Sequence, residues 1–276
     1  MRGLFLVLFL LTNIYGFSFE ISNPEIKNGQ TALIKFSQEK GVEYKYITIK
    51  DKKKIIFTDY VFVPVSYYEE PKNLEITVFY TKDNENRTKK ISLKVIDGKY
   101  EKEVLNVDSS KVKLSEEDKK RAAKEYVEAM DIYNSTTEKS YLDSKFLMPM
   151  DSKITSDFGR ARVFNGTLKS YHSGTDFRAK VGTQIQCVND GKVVLVKDRF
   201  YSGGSIIVDH GHGIYTCYYH MSKFDVKKDE VVKKGQVLGL SGASGRVTGP
   251  HLHFSARVSG IQVDPLQFIE LINKEL

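Results

Sequence analysis

Short runs in which apolar and polar residues alternate one by one dominate the first half of this chain. From residue 17 to about 100 they read "FSFEI", "TALIKFS", "EYKYITIKD", "KIIFTDY", "VFVPVSYY", "LEITVFYT" and "KKISLKVID". Turn clusters such as "NPEIKNGQ" and "KDNENRT" separate them. Successive side chains of a strand point to opposite faces, so this period of two marks half-buried strands. About seven short strands at such spacing predict an immunoglobulin-like β-sandwich. This half holds no His and no Cys, and nothing in it looks chemical.

The pattern then changes twice. "KLSEEDKKRAAKEYVEAMDIYN" (113–134) places Ala122, Tyr126, Ala129, Met130 and Tyr133 at helical spacing, behind Ser115 and Asp118 in a capping-box arrangement. One amphipathic helix over roughly 115–133 is expected, within an ordered linker. From residue 146 Gly becomes frequent, and all six histidines fall here. Short strands with Gly turns imply a compact all-β domain. Asp264 and Pro265 fit the N-cap and N1 positions of a short closing helix, "PLQFIELINK". The expected fold is mainly β throughout. The expected division is a signal peptide at 1–18, a β-sandwich domain at 19–105, a helical linker at 106–145 and a catalytic-type β-domain at 146–276.

The signal peptide is read from "MRGLFLVLFLLTNIYGFS": Arg2, then a short apolar run from Leu4 to Leu11, then small residues at Gly16 and Ser18. The run is short for a bilayer span. An uncleaved form would be tethered to the inner membrane, and either form would work outside the cytoplasm. The net charge of +7 suits an anionic partner or simple solubility. No Lys/Arg block interleaves with aromatics, so nucleic acid is not the expected partner. Cys187 and Cys217 lack CxxC spacing, which excludes a Cys-type zinc site; a disulfide between them and two buried free thiols both stay open.

Chemistry concentrates in three stretches. "HSGTD" holds His172 and Asp176 four apart, with Ser-Gly-Thr between them arguing for an extended or turning segment. "GPHLHF" holds His251 and His253, which on a strand aim at one spot. A His and an Asp from one segment with one His from a distant strand make three ligands, leaving the fourth tetrahedral position of zinc open. "YYHMS" adds His220; on a regular strand Tyr218 would share its face and line the site, while Cys217 and Tyr219 would face away.

These motifs resemble the HxxxD, HxS/T-like and HxH motifs of the M23 (LytM-type, lysostaphin-like) zinc metallopeptidases. "TSDFGRAR", "IIVDHGHGIYTCYYHMS", "VKKGQVLGLSGASGRVTGPHLHF" and "VDPLQF" match in the same order. The resemblance covers about residues 146–270. It implies that His172, Asp176 and His253 bind zinc and that His220 and His251 are catalytic. It implies a peptidoglycan substrate, a DD-endopeptidase cut between D-alanine and meso-diaminopimelate, carboxypeptidase trimming in some relatives, and work in the periplasm. More loosely, the preceding sandwich and helix look like the region ahead of this domain in cell-shape peptidases of curved Gram-negative bacteria. His210 is expected to be structural and His212 solvated. Asn165 sits where some relatives place a latent fourth ligand, and Arg160 and Arg162 suit stem-peptide carboxylates. Ser255 replaces a frequent Glu, and Asp229 a usual turn Gly. The competing reading is a non-catalytic or occluded LytM-type activator of other cell-wall hydrolases, with a regulatory protein partner.

Overall fold

The computed structural model describes residues 18–105, 114–142, 144–164 and 167–276. The expected signal peptide, apart from Ser18, lies outside the described residues, as does Asn165. The chain forms two compact units. Of the described residues, the first holds 18–25, 32–63 and 73–94, and the second holds 26–31, 64–72 and 95–276. Two short segments of the N-terminal half therefore belong to the second unit.

The N-terminal strands are β1 (Phe19–Ile21), β2 (Glu25–Lys27), β3 (Thr31–Phe36), β4 (Val42–Ile49), β5 (Lys52–Ile55), β6 (Tyr60–Pro64), β7 (Asn73–Lys82) and β8 (Glu85–Ile96). β1, β3 and β6 form one sheet, and β8, β7, β4 and β5 pair in that order in another. Alternation in the sequence becomes alternation in burial: Leu74, Ile76, Val78 and Tyr80 of β7 point inward, between exposed or half-buried neighbours.

The second unit continues with β9 (Lys102–Leu105) and α1 (Glu116–Asn134), close to the helix expected over 115–133. Ser115 caps α1, its hydroxyl accepting from the Asp118 amide at 3.0 Å. Then come β10 (Ile154–Ser156), β11 (Ala161–Phe164), β12 (Thr167–Tyr171), β13 (Thr175–Arg178), β14 (Gln184–Gln186), β15 (Gly191–Arg199), β16 (Gly203–Asp209), β17 (Ile214–Phe224), β18 (Val231–Val232), β19 (Val237–Ser241), β20 (His251–Val258), β21 (Ile261–Val263) and α2 (Pro265–Glu275). The main sheet runs β10-β13-β20-β17-β16-β15-β18, with β19 joining β17 to β14 and β21 joining β20. β9 pairs in parallel with β11, the partner of β12 in a hairpin.

Helices cover part of this sheet. α1 buries Ala129 and Tyr133 against Leu195, Ile207, Tyr215 and Cys217 of β15, β16 and β17. α2 starts at Asp264, whose carboxylate accepts from the Leu266 and Gln267 amides, with Pro265 next. It buries Phe268, Ile269, Leu271 and Ile272, each worth about 1.5–3 kcal/mol. Cys187 and Cys217 are free and buried, which settles the open choice against a disulfide. Among the described residues, no helix is long and apolar enough to cross a membrane.

Candidate metal centre and active site

β13 and β20 build the first half of the site. They pair antiparallel with Asp176 opposite His253 and Arg178 opposite His251. Residues directly opposite share a face. Phe177, Leu252 and Phe254 turn the other way and are buried. Regular alternation on two strands thus gathers Asp176, His251 and His253 on one side. His172 enters from the turn after β12, its amide donating to the Arg160 carbonyl and its own carbonyl accepting from Gly159. Gly174 makes this possible. A Cβ there would sit 2.6 Å from His253 Nε2 and would also collide with the Phe254 carbonyl. The small residue inside "HSGTD" is what lets β20 approach.

Three donor atoms converge. His172 Nε2 lies 3.0 Å from Asp176 Oδ1 and 3.1 Å from His253 Nδ1, and these last two are 2.9 Å apart. His172 Nδ1 donates to the Asp157 carbonyl at 2.8 Å, so the neutral ring keeps its lone pair on Nε2. Burial works against ionisation of Asp176, yet its hydrogen bonds to His172 and His253 hold it well below the usual carboxylate range. Burial likewise lowers the pKa of His253, against the pull of Asp176. Two imidazole nitrogens and a carboxylate oxygen aimed at one point form a group that could hold a metal ion. Tetrahedral zinc, with bonds of about 2.0–2.1 Å, sets its donors about 3.3 Å apart, close to the spacing here. The N/N/O donor set suits zinc better than calcium or magnesium.

His220 reaches the same face by a different route. β17 pairs with β20 through Tyr218 opposite Phe254 and Tyr219 opposite His253. Its register with β16 then slips between Tyr218 and Met221, and His220 takes φ +62°. This bulge places two successive residues where alternation allows one, and it re-aims His220. The His220 ring comes to 4.8 Å from that of His251 and 6.0 Å from that of His253. His220 Nδ1 donates to the Ser244 carbonyl and His251 Nδ1 to the Gly249 carbonyl, each at 2.9 Å, leaving Nε2 of both free to accept. Burial pushes the His220 pKa down to about 4, and nearby His253 adds to the shift.

Residues 170–265 match the model of peptidase family M23. The chain carries an M23 peptidase domain. Over 122 residues it is 42% identical to the peptidoglycan DD-endopeptidase ShyA of Vibrio cholerae, covering 43% of this chain and 28% of ShyA. Over 116 residues it is 36% identical to the DD-carboxypeptidase/endopeptidase Mpg of Neisseria meningitidis, covering 42% and 26%. The match thus spans little more than a quarter of either relative. A crystal structure described as an M23 peptidase from Pseudomonas aeruginosa covers 88% of this chain and 95% of its own, with 27% identity and a TM-score of 0.68.

Within the M23 domain the structure brings His172, Asp176, His220, His251 and His253 together. Tyr218 is a correction. It is fully buried, its ring packs on Phe254 and its hydroxyl accepts from the Val188 amide at 3.1 Å. The bulge separates it from His220, and Tyr219, expected to face away, stacks on His253 with planes 12° apart. Arg160 is ion-paired with Glu101 at 3.2 Å. Asn165 and the side chain of Arg162 lie outside the described residues. His210 is buried between the Asp190 carbonyl and the Thr216 hydroxyl, as a structural residue would be. His212, expected in solvent, is instead buried, with φ +54° and Nε2 3.1 Å from the Glu138 carbonyl. Tyr219, Ser244 and Asp157 escaped the sequence reading. Two of them act through backbone carbonyls, which carry no residue signature.

Proposed function

We propose that this protein is a zinc-dependent peptidoglycan DD-endopeptidase of the periplasm, cutting D-alanine–meso-diaminopimelate crosslinks. One observation carries the reading: three convergent metal-type donors, with two further imidazoles on the same face presenting an acceptor Nε2. The names of ShyA and Mpg support the substrate class. His172, Asp176 and His253 are the proposed zinc ligands. Bound there, zinc supplies Lewis acidity toward a water and a scissile carbonyl.

The chain supplies the proton handling. His220 is neutral at neutral pH because burial disfavours its charged form. Between them, His220 and His251 accept the proton of the attacking water at Nε2. The protonated ring then hydrogen-bonds to the oxyanion and passes its proton to the leaving amine nitrogen as the C–N bond breaks. No helix-borne carboxylate is needed as base. Carbonyls of Ser244 and Gly249 fix both tautomers, so the rings need not reorganise during reaction.

The test is to incubate the purified protein with crosslinked peptidoglycan of the diaminopimelate type and resolve the muropeptides by mass spectrometry. Chelated protein and His253→Ala run alongside. Dimers giving way to monomers, only with metal and His253, is the expected result. Bound zinc with unchanged muropeptides sinks the endopeptidase reading and favours the activator. Release of terminal D-alanine without loss of dimers moves the assignment to a carboxypeptidase.

A further inference from the structure

α1 was expected to be a linker. Its buried side chains instead lead to the site. Glu125 is only 5% exposed, an unusual place for a carboxylate on a helix surface. One carboxylate oxygen accepts from Arg121 Nε at 2.8 Å, and the other accepts from the backbone amide of Phe200 at 2.8 Å. Arg199 Nη2 donates to the Glu125 carbonyl at 3.1 Å. The loop between β15 and β16 is therefore pinned to the helix at Arg199 and Phe200.

The next residues of that loop hold His220. The Ser202 carbonyl accepts from the His220 amide at 2.8 Å, at the left-handed residue of the bulge. The Tyr201 carbonyl accepts from the Arg246 amide, tying in the loop that carries Ser244. The Ser244 hydroxyl bridges the Gly204 amide and the Met221 carbonyl, and the Ser244 carbonyl orients the His220 ring. A left-handed conformation at a non-glycine residue persists only where its surroundings over-determine it. Here those surroundings run back to Glu125. A second contact from the same helix is independent of the first: the Tyr133 hydroxyl lies 2.9 Å from that of Tyr219, whose ring stacks on His253.

We propose that Glu125 is a positioning residue for His220. Its carboxylate holds the Phe200–Gly203 loop in the shape that keeps the bulge and aims the imidazole. This inference rests on the catalytic role proposed for His220. Glu128 provides a control on the same helix. It pairs with Lys197 of β15 at 2.7 Å, with both side chains partly exposed.

Glu125→Ala, Glu125→Gln and Glu128→Ala in the full-length protein are compared by three measurements: kcat and KM on a dimeric muropeptide, zinc content, and amide exchange of peptides spanning Phe200–Gly203 and Tyr219–Met221. E125A is expected to lower kcat about 10-fold or more with KM and zinc content little changed, the lower end of what outer-shell positioning contributes. Exchange should quicken in both peptides. E125Q keeps an oxygen for the Phe200 amide and should recover most of the rate, while E128A matches wild type. Exchange in E125A no faster than in E128A overturns the inference, as does E125Q losing as much as E125A. If wild-type protein shows no turnover, the proposed function fails, and the exchange data alone decide whether Glu125 holds this loop.

Discussion

β20 and β17 lie side by side in one ladder and deliver histidines to one face, but by opposite means. On β20 the alternation is regular: His251 and His253 point one way, Leu252 and Phe254 the other. On β17 it breaks at a bulge, and His220 arrives only because its backbone is left-handed. The first arrangement needs nothing beyond the pleat. The second depends on Ser202, Ser244 and the loops that carry them. A site built on both has one half supported by local geometry and another supported from outside its own strand.

The largest effect tests the regular half. His253→Ala should empty the metal centre and take muropeptide cleavage to background, with zinc content by mass spectrometry as the readout. Zinc retained at wild-type level would remove His253 from the ligand set. On the bulged half, His220→Ala should keep zinc and lower kcat by about 10²–10⁴-fold, the range of a general acid–base group. Loss of zinc in that variant would mean that the two halves are not separable in the way drawn here.

The two tyrosines before His220 sharpen the contrast. Tyr219→Leu removes the ring stacked on His253 and should weaken zinc retention about 10–100-fold in a chelator competition, as loss of a group that orients a ligand does. Tyr218→Phe leaves the Val188 amide without its acceptor and should cost about 1–3 kcal/mol of stability while turnover per bound zinc stays at wild type. The reverse pattern would restore the regular-strand register and put Tyr218 on the site.

The last effect is on stability alone and concerns His210, held by the Asp190 carbonyl and the Thr216 hydroxyl. Burial lowers its pKa from 6.5 to about 4 in the folded protein. Between those values the unfolded chain binds a proton that the folded chain refuses, so unfolding is favoured as pH falls. Stability linked to His210 should be full above pH 6.5 and decline toward pH 4 by about 3 kcal/mol. Thermal melts of His210→Gln against wild type over that range should show the slope flattened in the variant. An unchanged slope would assign the acid sensitivity elsewhere.

Much of the site was legible because its residues sit on elements whose period the sequence displays. "GPHLHF" places two imidazoles on one face of any strand, and "HSGTD" joins a His to an Asp with the Gly that close approach requires. The caps of α1 and α2 were equally readable, since Ser115 and Asp264 bond to amides two or three residues on. Errors arose where backbone conformation is set at a distance. Tyr218 and Tyr219 exchanged roles because nothing local to "TCYYHMS" announces a bulge. His212 is buried because its ring meets the Glu138 carbonyl far along the chain. The role of α1 was missed for the same reason: Glu125 looks like any helix-surface acid until Phe200 is brought against it.

By itself, then, the order of residues pointed to many of the strands and the faces they bury, set His172 four residues from Asp176, and put His251 and His253 on one strand face. Those follow from side-chain alternation and turn chemistry, which act over a few residues. That the two pairs meet was implied by the resemblance and is made by the pairing of β13 with β20. Only the tertiary structure decided that His220 turns toward them, that Tyr219 rather than Tyr218 backs His253, and that α1 is tied to the loop beneath His220. Each of those rests on a hydrogen bond or ring contact between segments tens of residues apart, and such contacts exist only after the sheet has closed.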